Sequence, residues 1–355
     1  MMEQPASGSL CGQSGPWACA EVDGLTKRHR FLSAAVAAWL FLVVVSTIRP
    51  VVTRAAGQAG RIELHTLQTL TLTGSQFLMG AKDGESVIIA GELRLPRGTS
   101  GRLPAVVVMH GAGGIDANTD PWARELNAIG VAAFIIDSFT GRGIGEGPDT
   151  MGRAGHLTMI GDAYRALELL SRHPRIDPAR IALMGFSRGG AVALYASLRR
   201  FQRMHGPPGI EFAAYLPFYA PCRITYIDDE QVSDRPIRLF HGTADDWTPV
   251  EPCRQYVARL RRWGKDVQLL EYPGAHHGFD MPWPLQRFSA HRGLGTCALE
   301  ERPDGKIVNR DSGQPWHPGD ACTTDGVTAG ADPHAYVEAV RAVKEFLTFV
   351  FKLSR

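Results

Sequence analysis

Apolar runs of strand length recur along this chain, most of them separated from the next by a segment of helical period. The runs are 104–111 (PAVVVMHG), 131–139 (VAAFIIDSF), 180–184 (RIALM), 212–220 (FAAYLPFYA), 235–242 (RPIRLFHG) and 266–274 (DVQLLEYPG). They are nearly continuous in apolar character rather than alternating, the pattern of strands buried on both faces. Between or after them lie 120–130, 157–173, 191–202 and 249–264, with apolar residues at helical spacing, and the chain closes on an amphipathic segment at 332–353. Strands alternating with helices predict an α/β domain with an open, mostly parallel central sheet and helices on both faces. An earlier strand at 86–96 is expected to pair as a hairpin with 61–73.

In such sheets the functional site lies at the carboxyl ends of the strands. Small or reactive residues should therefore follow the strands, and they do. The clusters are HGAGG (110–114), DSFTGRG (137–143), GFSRGG (185–190), HGTADD (241–246) and GAHHGFD (274–280). In the third, Gly185-Phe186-Ser187-Arg188-Gly189 joins a buried strand to a helix in the G-x-S-x-G pattern, which predicts a sharp turn that lifts the serine hydroxyl above the sheet. Gly185 and Gly189 would let strand and helix backbones approach closely. The amide of Arg188 would face a developing oxyanion at the positive end of the helix.

A serine hydroxyl needs a base to take its proton, and the base needs a third group to hold its tautomer. In chain order an acid and then a histidine should follow the serine. Asp245 and His277 stand at the ends of the next suitable strands, with Asp246 and His276 as the adjacent alternatives. One of the two aspartates is expected to form an Asx turn, leaving the other for histidine. Ala112 or Gly113 is expected to supply the second oxyanion donor, and His110 to hold that loop. No spacing of His, Cys or acidic residues suits a metal, and neither metal nor cofactor is expected. Phe139, Tyr219, Trp247 and Phe279 are candidates for apolar pocket walls or for plain packing. Arg142 would meet a substrate carboxylate or form a salt bridge that holds its glycine-rich loop.

These segments resemble the dienelactone hydrolase-like branch of the α/β-hydrolases, over roughly residues 80–280 and the C-terminal helix. The specific parts are Y-P-G-A-x-H-G-F and D-S-F-x-x-R-G. The resemblance implies the α/β-hydrolase fold and a triad of nucleophile, acid and histidine, at Ser187, Asp245 and His277. Two features differ. Dienelactone hydrolases proper have cysteine where this chain has Ser187, and their glutamate-bearing loop is here HGAGG. A segment at about 282–332, rich in Gly, Pro and charge, is inserted before the last helix. Within it, the stretch between Cys297 and Cys322 has few apolar residues and no sustained period, so it is not expected to order itself without a crosslink.

The 355 residues carry 38 basic and 36 acidic side chains, a net charge of +2 that gives no sign of a nucleic-acid partner. Residues 1–30 are polar, end in a basic cluster and read as a disordered N-terminal segment. Phe31–Ile48 is an uncharged apolar run that reads as a signal peptide or membrane anchor, which places the domain at 61–355 outside the cytoplasm, periplasmic, secreted or anchored. Of the 6 cysteines, Cys222, Cys253, Cys297 and Cys322 follow that run. Cys297 and Cys322 are expected to form a disulfide that closes the insertion beside the active site. Cys222 and Cys253 are left open between a second bridge and two buried thiols.

The leading expectation is a serine hydrolase that cleaves a small-molecule carboxylic ester or lactone through an acyl-enzyme. The alternatives are a peptidase or acyltransferase with the same triad, or a non-catalytic binding protein on the same fold. Nothing in the sequence speaks to oligomeric state.

Overall fold

The structure is a computed structural model and describes residues 59–145, 154–317 and 319–353. The expectations for residues 1–30 and for Phe31–Ile48 fall outside the described residues. Among the described residues no helix is long and apolar enough to cross a membrane.

The strands are β1 (Ala59–Thr71), β2 (Glu85–Pro96), β3 (Leu103–Met109), β4 (Ala132–Asp137), β5 (Ile176–Phe186), β6 (Tyr215–Phe218), β7 (Ile224–Thr225), β8 (Ile237–Gly242), β9 (Val267–Tyr272), β10 (Gln286–Gly293), β11 (Leu299–Glu301), β12 (Ile307–Asn309) and β13 (Thr324–Ala329). Eight of them form one sheet in the order β1-β2-β4-β3-β5-β6-β8-β9. β1 and β2 pair antiparallel as the expected hairpin, and β2 is antiparallel to β4. From β4 to β9 every pairing is parallel. The domain therefore has the mostly parallel α/β-hydrolase architecture.

The helices are α1 (Gly74–Leu78), α2 (Thr119–Ala128), α3 (His156–Ser171), α4 (Arg188–Tyr195), α5 (Arg199–His205), α6 (Glu251–Arg262) and α7 (Pro333–Phe351). The apolar faces of α3, α4 and α6 pack on one side of the sheet, through residues such as Ile160, Leu167, Leu194 and Leu260. On the other side α2 and α7 pack through Trp122, Leu126, Val343 and Leu347. The segment read as one helix over 191–202 is two. α4 ends at Tyr195, and α5 starts anew after Leu198, whose backbone is extended.

The insertion carries the expected Cys297–Cys322 bridge, together with strands that the sequence pattern did not mark. It contains β10 paired with β13, and a β11–β12 hairpin that adds to β7 of the main domain. Three-residue strands give no periodic signal. They are held here by a strand distant in the chain and by the Cys297–Cys322 bridge. A second disulfide joins Cys222 to Cys253, which settles the choice left open above in favour of a bridge.

Candidate active site

Ser187 sits between β5 and α4 with φ 54° and ψ −110°, a conformation that L-residues rarely adopt. Such strain persists only where the surroundings enforce it. Here the Ser187 amide donates to Phe218 O at 3.0 Å. The flanking glycines are needed for close approach. A Cβ on Gly185 would stand 2.1 Å from Gly189 O, and one on Gly189 2.2 Å from Met109 O. No other residue type allows strand, turn and helix to come so near.

His277 brings the parts together. Its Nε2 lies 3.0 Å from Ser187 Oγ and its Nδ1 2.8 Å from Asp245 Oδ2. With Nδ1–H donating to the carboxylate, Nε2 is left to accept the serine proton. Asp245 is buried and serves both roles that the sequence reading divided between two aspartates. Its Oδ1 accepts the amides of Trp247 (3.0 Å) and Thr248 (2.8 Å) as an Asx turn, while Oδ2 faces His277. Burial would raise this carboxyl, but the imidazoles of His277 and His241 outweigh it and hold Asp245 well below the usual carboxylate range. Asp246 instead accepts the Thr328 amide at 2.7 Å. His276 is not the histidine on Ser187.

The serine opens into a cavity of about 900 Å³ lined by Ala112, Gly113, Arg188, Tyr219, Trp247 and residues of the insertion. Both candidate oxyanion loops thus reach it. His110 holds its loop as expected: Nδ1–H donates to Gly111 O (2.7 Å), and Nε2 accepts the Ser138 amide (3.1 Å). Burial, the largest influence on this imidazole, pushes its pKa down and favours the neutral ring.

Three candidate pocket residues are corrected, because none of them lines the cavity. The Arg142 guanidinium is buried in a two-pronged bridge to Asp162, with both N–O distances 2.8 Å, and it also donates to Ser138 O at 2.6 Å. It fixes the glycine-rich loop, the second of the two readings offered for it. Phe139 is buried with its ring edge-on to His110, centroids 4.5 Å apart. Phe279 follows Gly278, whose φ of 65° turns the chain, and its ring points into the core against Tyr272 and Tyr219.

Several supporting residues carry no signal in the sequence. His241 Nε2 lies 3.3 Å from Asp245 Oδ2 and 2.7 Å from Thr248 O. The buried Asp280 accepts Tyr219 Oη–H (2.7 Å), Trp122 Nε1–H (2.7 Å) and Asn118 Nδ2–H (3.0 Å). It thereby ties the His277 loop to the segment that opens α2. The Asp280 contacts join residues far apart in the chain, so no local motif marks them. Glu63, His65 and His173 bring three potential metal-ligand atoms within 4.8 Å of one another. His173 there donates Nε2–H to Glu63 (3.0 Å) while Nδ1 accepts the Arg175 amide (3.2 Å), which occupies both ring nitrogens without a cation. None of these three residues lines the cavity.

A strand–turn–helix serine, followed along the chain by an acid and then a histidine, at the carboxyl edge of a mostly parallel sheet, defines the α/β-hydrolase class. The sequence profile of the dienelactone hydrolase family matches residues 89–291. The chain belongs to that family and is a hydrolase acting on ester bonds. A protein of Bradyrhizobium sp named "probable 2-oxo-3-(5-oxofuran-2-ylidene)propanoate lactonase" is 26% identical over 193 residues, which cover 51% of this chain and 75% of that one. Among solved structures, a dienelactone hydrolase-like promiscuous phosphotriesterase from metagenomic libraries superposes with a TM-score of 0.52 at 19% identity, covering 82% of this chain and 99% of the other. Esterase 2 of Thermogutta terrifontis superposes with a TM-score of 0.51 at 17% identity, covering 81% and 96%. At these identities the two structures speak for the fold alone.

Proposed function

We propose that Ser187, His277 and Asp245 form a catalytic triad that cleaves a carboxylic ester or lactone through an acyl-enzyme. The observation that carries the reading is the single line of hydrogen bonds from Asp245 through His277 to Ser187, 2.8 and 3.0 Å, at the floor of the cavity. Ser187 Oγ attacks the carbonyl carbon as its proton passes to His277 Nε2. The tetrahedral oxyanion is received by the amide of Arg188 and that of Ala112 or Gly113. Each such donor contributes roughly 2.7–4 kcal/mol to transition-state stabilisation. The intermediate collapses, His277 returns the proton to the departing alkoxide, and the acyl group stays on Ser187. Water then repeats the sequence in reverse and frees the acid. Asp245 holds the Nδ1–H tautomer and stabilises the imidazolium that forms in each half.

The domain works outside the cytoplasm, behind Phe31–Ile48 as a signal peptide or anchor. In support, both disulfides lie beyond that segment, and such bridges persist mainly in oxidising compartments.

A fluorophosphonate probe tests the triad. Wild type should label at one site, and Ser187→Ala should not. Absent labelling of wild type, or undiminished labelling of the variant, refutes the assignment. A panel of p-nitrophenyl esters, lactones and peptides then separates esterase from peptidase action. A periplasm-dependent reporter fused after residue 60 tests export, and an inactive reporter overturns it.

A further inference from the structure

Four aromatic rings stand together on one wall of the cavity, three of them supplied by the insertion. Trp247 follows Asp245 in the β8 loop, and its ring centroid lies 5.1 Å from that of His277. From Trp247 the cluster runs to Phe288 (6.0 Å) and His291 (5.4 Å) on β10, and Phe288 in turn meets Trp283 at 5.8 Å. All four line the cavity. They are half-buried or exposed rather than sealed in the core. Aromatic rings prefer offset or edge-to-face partners at 4.5–7 Å and add attraction to another ring beyond that of an equal saturated surface.

The position of this wall relative to the triad says which half of a substrate it meets. His277 must protonate the leaving oxygen, so the alcohol half of an ester lies on the histidine side of Ser187. The aromatic wall begins on that side, at Trp247. On this basis, and resting on the esterase reading above, we infer that the aromatic wall is an alcohol-side subsite for a flat aryl group, so that the preferred substrates are esters of aryl-bearing alcohols. A quaternary ammonium alcohol is the other chemistry that ring faces attract. It is disfavoured because, among the described residues, the cavity lining carries the cationic Arg188 and Arg223 against one carboxylate, Asp116, while Arg292 there is paired with Asp325 (2.6 Å).

The test must separate ring recognition from leaving-group reactivity. Benzyl acetate and cyclohexylmethyl acetate have similar size and both release an unactivated alkoxide. Wild type should favour benzyl acetate in kcat/KM by about threefold to tenfold, the scale expected of one or two ring contacts. Trp283→Leu with Phe288→Leu should bring the ratio to about one, mostly through KM, while labelling of Ser187 by the fluorophosphonate is retained. A wild-type ratio of one or less overturns the proposal, as does a ratio unchanged in the double variant or faster turnover of acetylcholine than of benzyl acetate. Equilibrium binding of benzyl acetate to Ser187→Ala, followed by tryptophan fluorescence, reads the subsite without turnover. Tighter binding than cyclohexylmethyl acetate supports the subsite even if no ester is hydrolysed, and equal or weaker binding overturns it. Loss of turnover for both esters in wild type bears instead on the triad.

Discussion

Asp246 accepts both the backbone amide and the hydroxyl of Thr328, at 2.7 and 3.1 Å, and so fastens the last strand of the insertion to the loop that carries Asp245. Two residues further along, Gly330 donates its amide to His277 O at 3.0 Å. The end of β13 is thus anchored to the loops of both the acid and the histidine. Neighbouring aspartates differ in role because successive side chains leave an extended loop in different directions: one turns down to His277, the other out to β13.

Asp245→Asn should lower kcat by roughly 100- to 10,000-fold, because an amide cannot hold the Nδ1–H tautomer or balance the imidazolium. Asp246→Asn should leave kcat within about tenfold of wild type and cost about 1 kcal/mol of stability through weaker bonds to Thr328. Steady-state kinetics with a p-nitrophenyl ester and denaturant titration check the pair. The reverse ranking in kcat counts against the triad assignment.

Ser187→Ala should lower ester turnover by at least about 10,000-fold in a folded protein. Ser187→Gly should be equally inactive yet more stable than Ser187→Ala by about 1 kcal/mol, because glycine tolerates φ 54° without the strain that alanine keeps. Thermal melting of the two variants decides the second part.

Replacing Cys297 and Cys322 together by serine frees a crosslink of sequence separation 25. The loop-closure argument puts the loss near 3 kcal/mol. Since the insertion supplies Trp283, Phe288 and Trp316 to the cavity wall, KM should rise more than kcat falls. An unchanged melting temperature and KM would show that the bridge has no part in shaping the pocket. Thiol titration of the unfolded, non-reduced wild type should find neither cysteine reactive.

Acid should destabilise the fold through two histidines, the buried His205 and the partly buried His156 at the cavity wall. Burial, aided by the nearby Arg188 charge, pushes His156 down to about 4. Burial pushes His205 down to about 4 as well, against the opposing effect of its bond to Phe77 O. Both stay neutral in the native state while the unfolded chain takes up protons below about pH 6.5. Their contribution is complete above that pH and is lost as pH falls from 6.5 toward 4. It amounts to about 1 kcal/mol per histidine for the first unit. His205→Gln, which keeps a donor for Phe77 O, should flatten the dependence of melting temperature on pH over that window. A slope identical to wild type would refute the assignment to His205.

The order of strands and helices, the serine at the turn and the two loops that hold the acid and the histidine were legible in the chain itself, while the choice of Asp245 over Asp246 and of His277 over His276 rested on the family resemblance. Buried parallel strands announce themselves as unbroken apolar runs, and the topology of such a sheet dictates which strand ends reach one rim. Other features were not legible. Phe139, Arg142 and Phe279 lie in the same loops as the site residues but face away from the cavity. Their direction depends on one or two backbone torsions and on partners such as Asp162 and His110. His241, Asp280 and the β11–β12 hairpin likewise take their meaning from Asp245, Trp122 and β7. A periodic pattern records which face of an element is buried. It does not record which distant group that face will meet, and in this protein those meetings align the histidine and build the aromatic wall beside it.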